Sequence, residues 1–287
     1  MGQKLMLGFF RVFDVRVGYF FMAFAIPFYL IFHRNATRAM YHYFHLRLGQ
    51  NRLKSALSTV RNHYLFGQMM LDRFSLYAGR GKAFKVEVVN QNAFTQAMER
   101  PEGFVQAGSH VGNFEMGGYL MHQDKKIITS VIFGGEEAVV QMNRYKILQN
   151  NNIELIPVKE DLSHLFAIKA ALDHGNVVSM PCDRLFGSNK SVRLPFLGAP
   201  ADFPLGGFML AAQTEVDMIA IFVMKDKKLH YTIHVCPLTV DRGLYPNNRE
   251  IAKALAAAYA VQLERIIQAY PLQWFNFYDF WKINESI

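Results

Sequence analysis

The chain has 287 residues, 51% of them hydrophobic and 14% aromatic, with charged residues at 19% and a formal net charge of +8. That length buries a sizeable core in one large domain or two small ones, and a charged fraction below the ~25% of ordinary soluble domains makes a membrane surface the simplest partner. The two cysteines, Cys182 and Cys236, each stand alone in strand-like runs without CxxC spacing, which argues against a disulfide framework and a structural zinc site and fits a reducing compartment.

The charge is concentrated at the N-terminal end. Residues 1–87 hold 13 lysines and arginines against three acids, a net +10, leaving −2 for the remainder. A basic end beside an apolar run suits anionic headgroups or an acidic carrier protein. Nucleic acid is not expected, because no zinc-knuckle, glycine-loop or RNP-like pattern accompanies the basic residues. The apolar run is RVGYFFMAFAIPFYLIFHR, in which Arg16 and Arg34 bracket 17 residues. A span needs about 20 apolar residues, and Pro27 interrupts this one, so a kinked, tilted or half-buried helix is as well supported as a clean span. A buried hydrophobic hairpin is the alternative. Arg11, Asp14 and Arg16 ahead of the run, and Phe-His-Arg after it, do not form a cleavable signal peptide, and MGQKLM lacks the Ser or Thr of a myristoylation signal.

Helical spacing of aromatics and leucines follows from Asn35 to about Tyr77. His42 and His45 fall in it among aromatics with no third ligand nearby, so packing outweighs metal binding. After Gly79-Arg80-Gly81-Lys82, predicted strands (Lys85–Val89, Gly103–Ala107, Ile127–Phe133, Ile153–Pro157, Val177–Pro181, Met218–Met224, Leu229–Pro237) alternate with predicted helices (Asn113–His122, Glu136–Asn150, Ser163–His174, Leu205–Gln213, Arg249–Ala269). This pattern predicts an α/β fold: a mixed sheet flanked by helices. With no linker in sight, residues 1–35 are expected to be a membrane anchor helix and 36–287 a single α/β domain.

The chemistry concentrates in GFVQAGSHVGNFEMGGYL, residues 103–120: an apolar strand, a small-residue turn, His110, and a helix opening with Gly-Asn. Ligands of α/β sheets bind beyond the carboxyl ends of strands, where His110 sits. A neutral imidazole takes a proton from a hydroxyl or amine, and a carboxylate fixes its tautomer. Positions five apart on one regular helix diverge by about 140°, so Glu115 reaches back to His110 only if His110 precedes the helix. Backbone N–H groups of that helix start would also suit a thioester oxyanion.

His110-Val111-Gly112-Asn113-Phe114-Glu115 resembles the HxGNWE block of the lipid A late acyltransferases, a branch of the His-x4-Asp/Glu glycerolipid acyltransferases. The resemblance continues through Met180-Pro181-Cys182-Asp183-Arg184, then Phe196-Leu197-Gly198-Ala199-Pro200-Ala201 with its F-x-G-x-x-A pattern, the Leu210-Ala211-Ala212 helix, and Pro271-Leu272-Gln273-Trp274-Phe275, which is similar to the closing P-x-Q-[WY] motif. It covers most of the chain and implies an acyltransferase fold at the cytoplasmic face of a bacterial inner membrane, taking acyl chains from acyl carrier protein or acyl-coenzyme A to a membrane lipid. Phe114 stands where the family has tryptophan, and Asn276-Phe277-Tyr278-Asp279-Phe280-Trp281 replaces a basic ending suited to a phosphorylated saccharide. A lysophospholipid, an aminoacyl lipid or a polyene lipid is therefore open as the acceptor.

The expected roles are His110 as general base and Glu115 as its orienter. Asn113 shapes the turn, caps the helix or donates to the oxyanion. Arg184, beside Asp183, binds a donor or acceptor phosphate or else forms a buried ion pair, and Lys159 is a weaker phosphate candidate. By the resemblance, Phe196, Gly198 and Phe203 line an acyl groove; otherwise they are core. The mechanism needs no cofactor and no metal. His164, His174, His230 and His234 lack ligand spacing, with His230 and His234 the one pair sharing a strand face. A serine hydrolase is disfavoured because Ser109 is not centred in G-x-S-x-G, and a Cys182 nucleophile because such a residue is more often buried. No GxGxxG or GxxxxGK[ST] supports a nucleotide site. The rival of another class is a non-catalytic membrane-binding protein that keeps the fold.

Overall fold

The computed structural model describes residues 2–120, 125–132, 152–158, 163–185 and 190–281. The predicted helix Glu136–Asn150 and Lys159 lie outside them. The chain opens with helices α1 (Gly2–Val12), α2 (Val15–Phe32), α3 (Arg34–His42) and α4 (Arg52–Tyr77). Asp14 caps α2 by accepting the Arg16 N–H at 2.8 Å. The helix continues through Pro27, which removes one ladder hydrogen bond without ending it. One side of α2 is buried, at Val15, Gly18, Tyr19 and Ile26, while Phe20, Phe21, Phe24, Phe28 and Phe32 stand exposed. This helix alone among the described residues is long and apolar enough to cross a membrane; at 1.5 Å per residue its 18 residues span about 27 Å. The expected continuous helix from 35 to 77 divides at Gly49, whose φ of 62° closes the turn between α3 and α4.

A seven-stranded mixed sheet follows, in the order β1-β9-β8-β2-β5-β3-β4. Its strands are β1 (Lys85–Val89), β2 (Phe104–Gly108), β3 (Ile128–Ile132), β4 (Ile153–Pro157), β5 (Val177–Pro181), β8 (Asp217–Lys227) and β9 (His230–Pro237). All neighbours run parallel except β8 and β9. Between them come α5 (Gln91–Glu99), α6 (Phe114–Leu120), α7 (Ser163–Asp173), α8 (Gly206–Gln213) and, last, α9 (Asn248–Ala269). The strand β8 is buried along Met218–Lys225, as a strand covered on both faces must be. On one face, Val105, Ala107, Val178 and Phe222 pack with Phe208, Leu255 and Tyr259 of α8 and α9. On the other, Phe104, Val177, Ile219 and Val223 pack with Phe94 and Met98 of α5 and Met116 of α6.

The residues 191–204 form a two-stranded hairpin, β6 (Ser191–Phe196) and β7 (Ala199–Pro204), which the sequence concealed because prolines at 195, 200 and 204 disfavour strands. Leu197 and Gly198 make its two-residue turn, both at positive φ, 49° and 76°.

Candidate active site

The register of the sheet builds the site. Strands β2 and β5 pair with Gly108 opposite Pro181, so two residues beyond each strand end His110 and Asp183 come side by side. Asp183 takes both donors that His110 offers it: the backbone N–H at 2.7 Å and ring Nδ1 at 2.8 Å. With Nδ1–H donating to a carboxylate, the ring's basic lone pair is on Nε2. Burial works to raise the Asp183 carboxyl, but the His110 charge and hydrogen bonds, with Arg184 adding to them, outweigh it and hold the group below its ordinary value.

The carboxylate at His110 is thus Asp183, where Glu115 was expected. Glu115 is the second residue of α6, and its carboxylate is engaged by Arg73 Nη1 at 2.9 Å and the Tyr77 hydroxyl at 3.1 Å. Both partners lie on α4, four residues apart and so on one face of it. Phe114 stands between the two halves of the site. Its ring lies edge-on to His110 at 5.8 Å between centroids, and the Arg73 guanidinium sits 5.3 Å from its centre.

Asn113 is completely buried and out of reach of a substrate. Its Oδ1 accepts from Arg73 Nε at 2.5 Å, and its Nδ2 donates to the Met69 carbonyl and the Tyr231 hydroxyl, each at 3.1 Å. The Asn113 N–H is taken by the Val223 carbonyl at 2.8 Å, and the Met116 N–H by that of Asn113 at 2.9 Å. These bonds fix the turn after His110.

That turn is also clamped by the C-terminal motif. The Gly112 N–H donates to the Gln273 carbonyl at 2.8 Å, and the Phe275 N–H to the His110 carbonyl at 3.1 Å, while the Gln273 amide pairs with both backbone groups of Lys225. Gly112 has φ 66°, and a Cβ there would stand 2.1 Å from the Val223 carbonyl oxygen, which is backbone and cannot turn aside. Gly112→Ala is therefore expected to cost roughly 3 kcal/mol or more, from strain and collision together, read as the shift of a urea unfolding curve.

Beneath the site lies a buried polar cluster with no sequence signature. Asp72 of α4 bonds to Lys225, Tyr19 and Tyr231, and Lys225 Nζ donates to the Tyr19 hydroxyl at 2.9 Å. Burial pushes the Asp72 carboxyl up and the Lys225 ammonium down, and their mutual attraction opposes both shifts. Through Tyr231 and Asn113 the cluster joins α2 and α4 to the turn that carries His110.

The remaining candidates separate. Arg184 is largely buried, donates Nη2 to the Phe275 carbonyl at 2.7 Å and lies 5.4 Å from the centre of the Tyr278 ring. Burial pushes the Tyr278 hydroxyl up to about 12, with the Arg184 charge opposing the shift and the Asp183 charge adding to it. Phe196 and Phe203, expected in an acyl groove, are core: Phe196 packs on Phe203, Trp274 and Trp281, because hairpin pairing turns these rings inward against the C-terminal motif. Gly198 is the hairpin turn, with no atom within 4 Å of where its Cβ would be. Cys182 is buried, and burial and the neighbouring Asp183 raise its thiol, so a thiolate nucleophile is disfavoured. His45 Nδ1 lies 2.7 Å from the Gln50 carbonyl, His230 sits 3.2 Å from Glu87, and His234 faces the Tyr270 hydroxyl at 3.4 Å.

The model of the family described as "Bacterial lipid A biosynthesis acyltransferase" matches residues 60–283. Among solved structures, the 1-acyl-sn-glycerophosphate acyltransferase PlsC from Thermotoga maritima is similar at 12% sequence identity with a TM-score of 0.43, over 91% of this chain and 99% of that one. No curated protein matches the sequence. With the family's model spanning most of the chain, including the turn of His110, the strand end of Asp183 and the clamp of Gln273, this protein belongs to the bacterial lipid A biosynthesis acyltransferase family and is an acyltransferase acting on a lipid.

Proposed function

We propose that the protein moves a fatty acyl chain from an acyl thioester to a hydroxyl or amine of a membrane lipid, with His110 as general base. The observation that carries this reading is the His110–Asp183 pair, a partly buried imidazole that keeps about a fifth of its surface exposed (21%) and whose Nδ1 is bonded to a buried carboxylate at the end of two adjacent parallel strands. In the reaction, Nε2 takes the proton of the acceptor as its oxygen or nitrogen attacks the thioester carbonyl. The tetrahedral intermediate collapses, the carbon–sulfur bond breaks, and the imidazolium returns the proton to the departing thiolate. Asp183 holds the tautomer and stabilises the imidazolium. Glu115 belongs to the same machinery, with Arg73 and Tyr77 fixing its carboxylate at the edge of the site. No cofactor enters this sequence.

Residues 1–35 act as the membrane anchor of a single α/β domain. The exposed phenylalanines of α2 enter the apolar layer, and nearby cations such as Arg34, Arg38, Arg52 and Lys54 face anionic headgroups at the cytoplasmic surface of the inner membrane. The same basic surface favours acyl carrier protein over coenzyme A as the donor's carrier. The test is acyl transfer by detergent-solubilised protein into a total lipid extract, comparing carrier-protein and coenzyme A thioesters of one labelled chain. Label in a lipid, with the carrier-protein donor preferred at low salt and the preference shrinking as salt rises, is the expected result. No labelled lipid from either donor would remove the proposal.

A further inference from the structure

The helix α2 is built into the domain at one polar point. Gly67 of α4 makes room for Met22 of α2, since a Cβ there would stand 2.8 Å from Met22 Cγ, and Gly18 of α2 lets Leu71 approach in the same way, to 3.1 Å. The two helices meet closely around Tyr19, whose backbone carbonyl accepts the Tyr64 hydroxyl at 3.1 Å. Tyr19 is buried, and its own hydroxyl donates to Asp72. An anchor has no use for that hydroxyl; Phe20, Phe21 and Phe24 of the same helix show what a lipid-facing surface requires.

From Tyr19 two routes run to the turn that carries His110, and every residue on them is buried. In the first, Asp72 accepts from Tyr231 of β9, and the Tyr231 hydroxyl accepts from Asn113 Nδ2 at 3.1 Å. In the second, Lys225 Nζ donates to Asp72 and, at 2.9 Å, to the Tyr19 hydroxyl. The Gln273 amide holds the backbone of Lys225, and the Gln273 carbonyl accepts the Gly112 N–H at 2.8 Å. Arg73, next in sequence to Asp72, bonds Asn113 and Glu115 directly, so a shift of α4 here is passed on to the turn as well. Buried polar groups have few alternative partners, and loss of one donor is answered by movement of the others. We infer that α2 is part of the framework of the active site as well as an anchor: Tyr19 is a positioning residue that acts through Asp72, Tyr231 and Lys225 on the turn that aims His110 and Glu115. The inference rests on the acyl-transfer reading with His110 as base.

The test measures transfer by the full-length protein in detergent micelles, where attachment to a bilayer plays no part. Binding to vesicles of phosphatidylethanolamine and phosphatidylglycerol is measured alongside. Tyr19→Phe keeps the ring and the apolar surface of α2, so vesicle binding is expected to be unchanged. Its kcat is expected to fall about 10-fold or more, with KM for the thioester within about two-fold, as a small displacement of a catalytic group does. Tyr231→Phe, which breaks the next link, is expected to show the same split and decides the matter if Tyr19→Phe does not fold. A purely structural role predicts activity that returns with stability. Asp72→Leu combined with Lys225→Met removes both buried charges, and its kcat is expected to stay at least 10-fold down even where its melting temperature matches wild type. Folded tyrosine variants with the kcat of wild type, or a charge-free double variant as active as wild type, overturn the inference while acyl transfer stands. No transfer by wild type overturns both.

Discussion

Asp183→Asn is expected to lower kcat by roughly 10²–10⁴-fold with the protein still folded and KM little changed. The amide keeps the carboxylate's shape and one oxygen to accept from the His110 N–H. It also presents an NH₂ group toward Nδ1, which must then become an acceptor, so the ring proton moves to Nε2 and the base is lost. Asp183→Glu, which keeps the charge at a changed reach, is expected to retain more activity than the amide. Steady-state kinetics separating kcat from KM, with a melting curve for each variant, checks this; an Asp183→Asn enzyme within a few-fold of wild type would detach Asp183 from the reaction. The pH dependence follows from the same pair. Because the folded carboxyl titrates below its unfolded value, its contribution to stability is fully present above the unfolded value and is lost as pH falls through the folded one.

The second large effect is on folding. Lys225→Met is expected to destabilise the protein by about 3–5 kcal/mol, since it leaves the Asp72 carboxylate buried with two tyrosines and no cation. Asp72→Leu combined with Lys225→Met removes both charges and is expected to recover a large part of that loss, because an apolar pair of similar volume is often neutral or better. Chemical denaturation of the two single variants and the double variant measures the coupling. Additive losses would show that the pair's two charges do not depend on one another.

Where the sequence speaks through periodicity, the architecture was legible. The strands at 85–89, 153–157 and 177–181 coincide with the predicted runs, and the final helix is displaced by one residue at its start. Boundaries moved by one to three residues at β8, whose polar ends Asp217 and Lys225–Lys227 do not read as apolar. The helix α5 escaped because QNAFTQAME has only one short apolar face, which is nonetheless buried at Phe94, Ala97 and Met98. In the site, His110 was evident from the small-residue turn around it, but its partner was not. Finding Asp183 requires knowing that β2 and β5 are neighbours, that they run parallel, and that Gly108 faces Pro181; no local spacing contains those three facts. Arg73 and Tyr77 were hidden for a related reason: they reach Glu115 from a helix some 40 residues upstream. The buried Asp72–Lys225 pair joins residues 153 apart in sequence, a separation that no local pattern reveals.

The most direct test of His110 as the base is a paired assay of wild type and His110→Ala, matched in melting temperature, with a labelled acyl thioester and a lipid extract under one set of conditions. Wild type is expected to form a labelled lipid, and His110→Ala to form it at least about 10²-fold more slowly. Equal rates from the two proteins would contradict the mechanism, because the proton of the acceptor would then be leaving by a route that does not pass through His110.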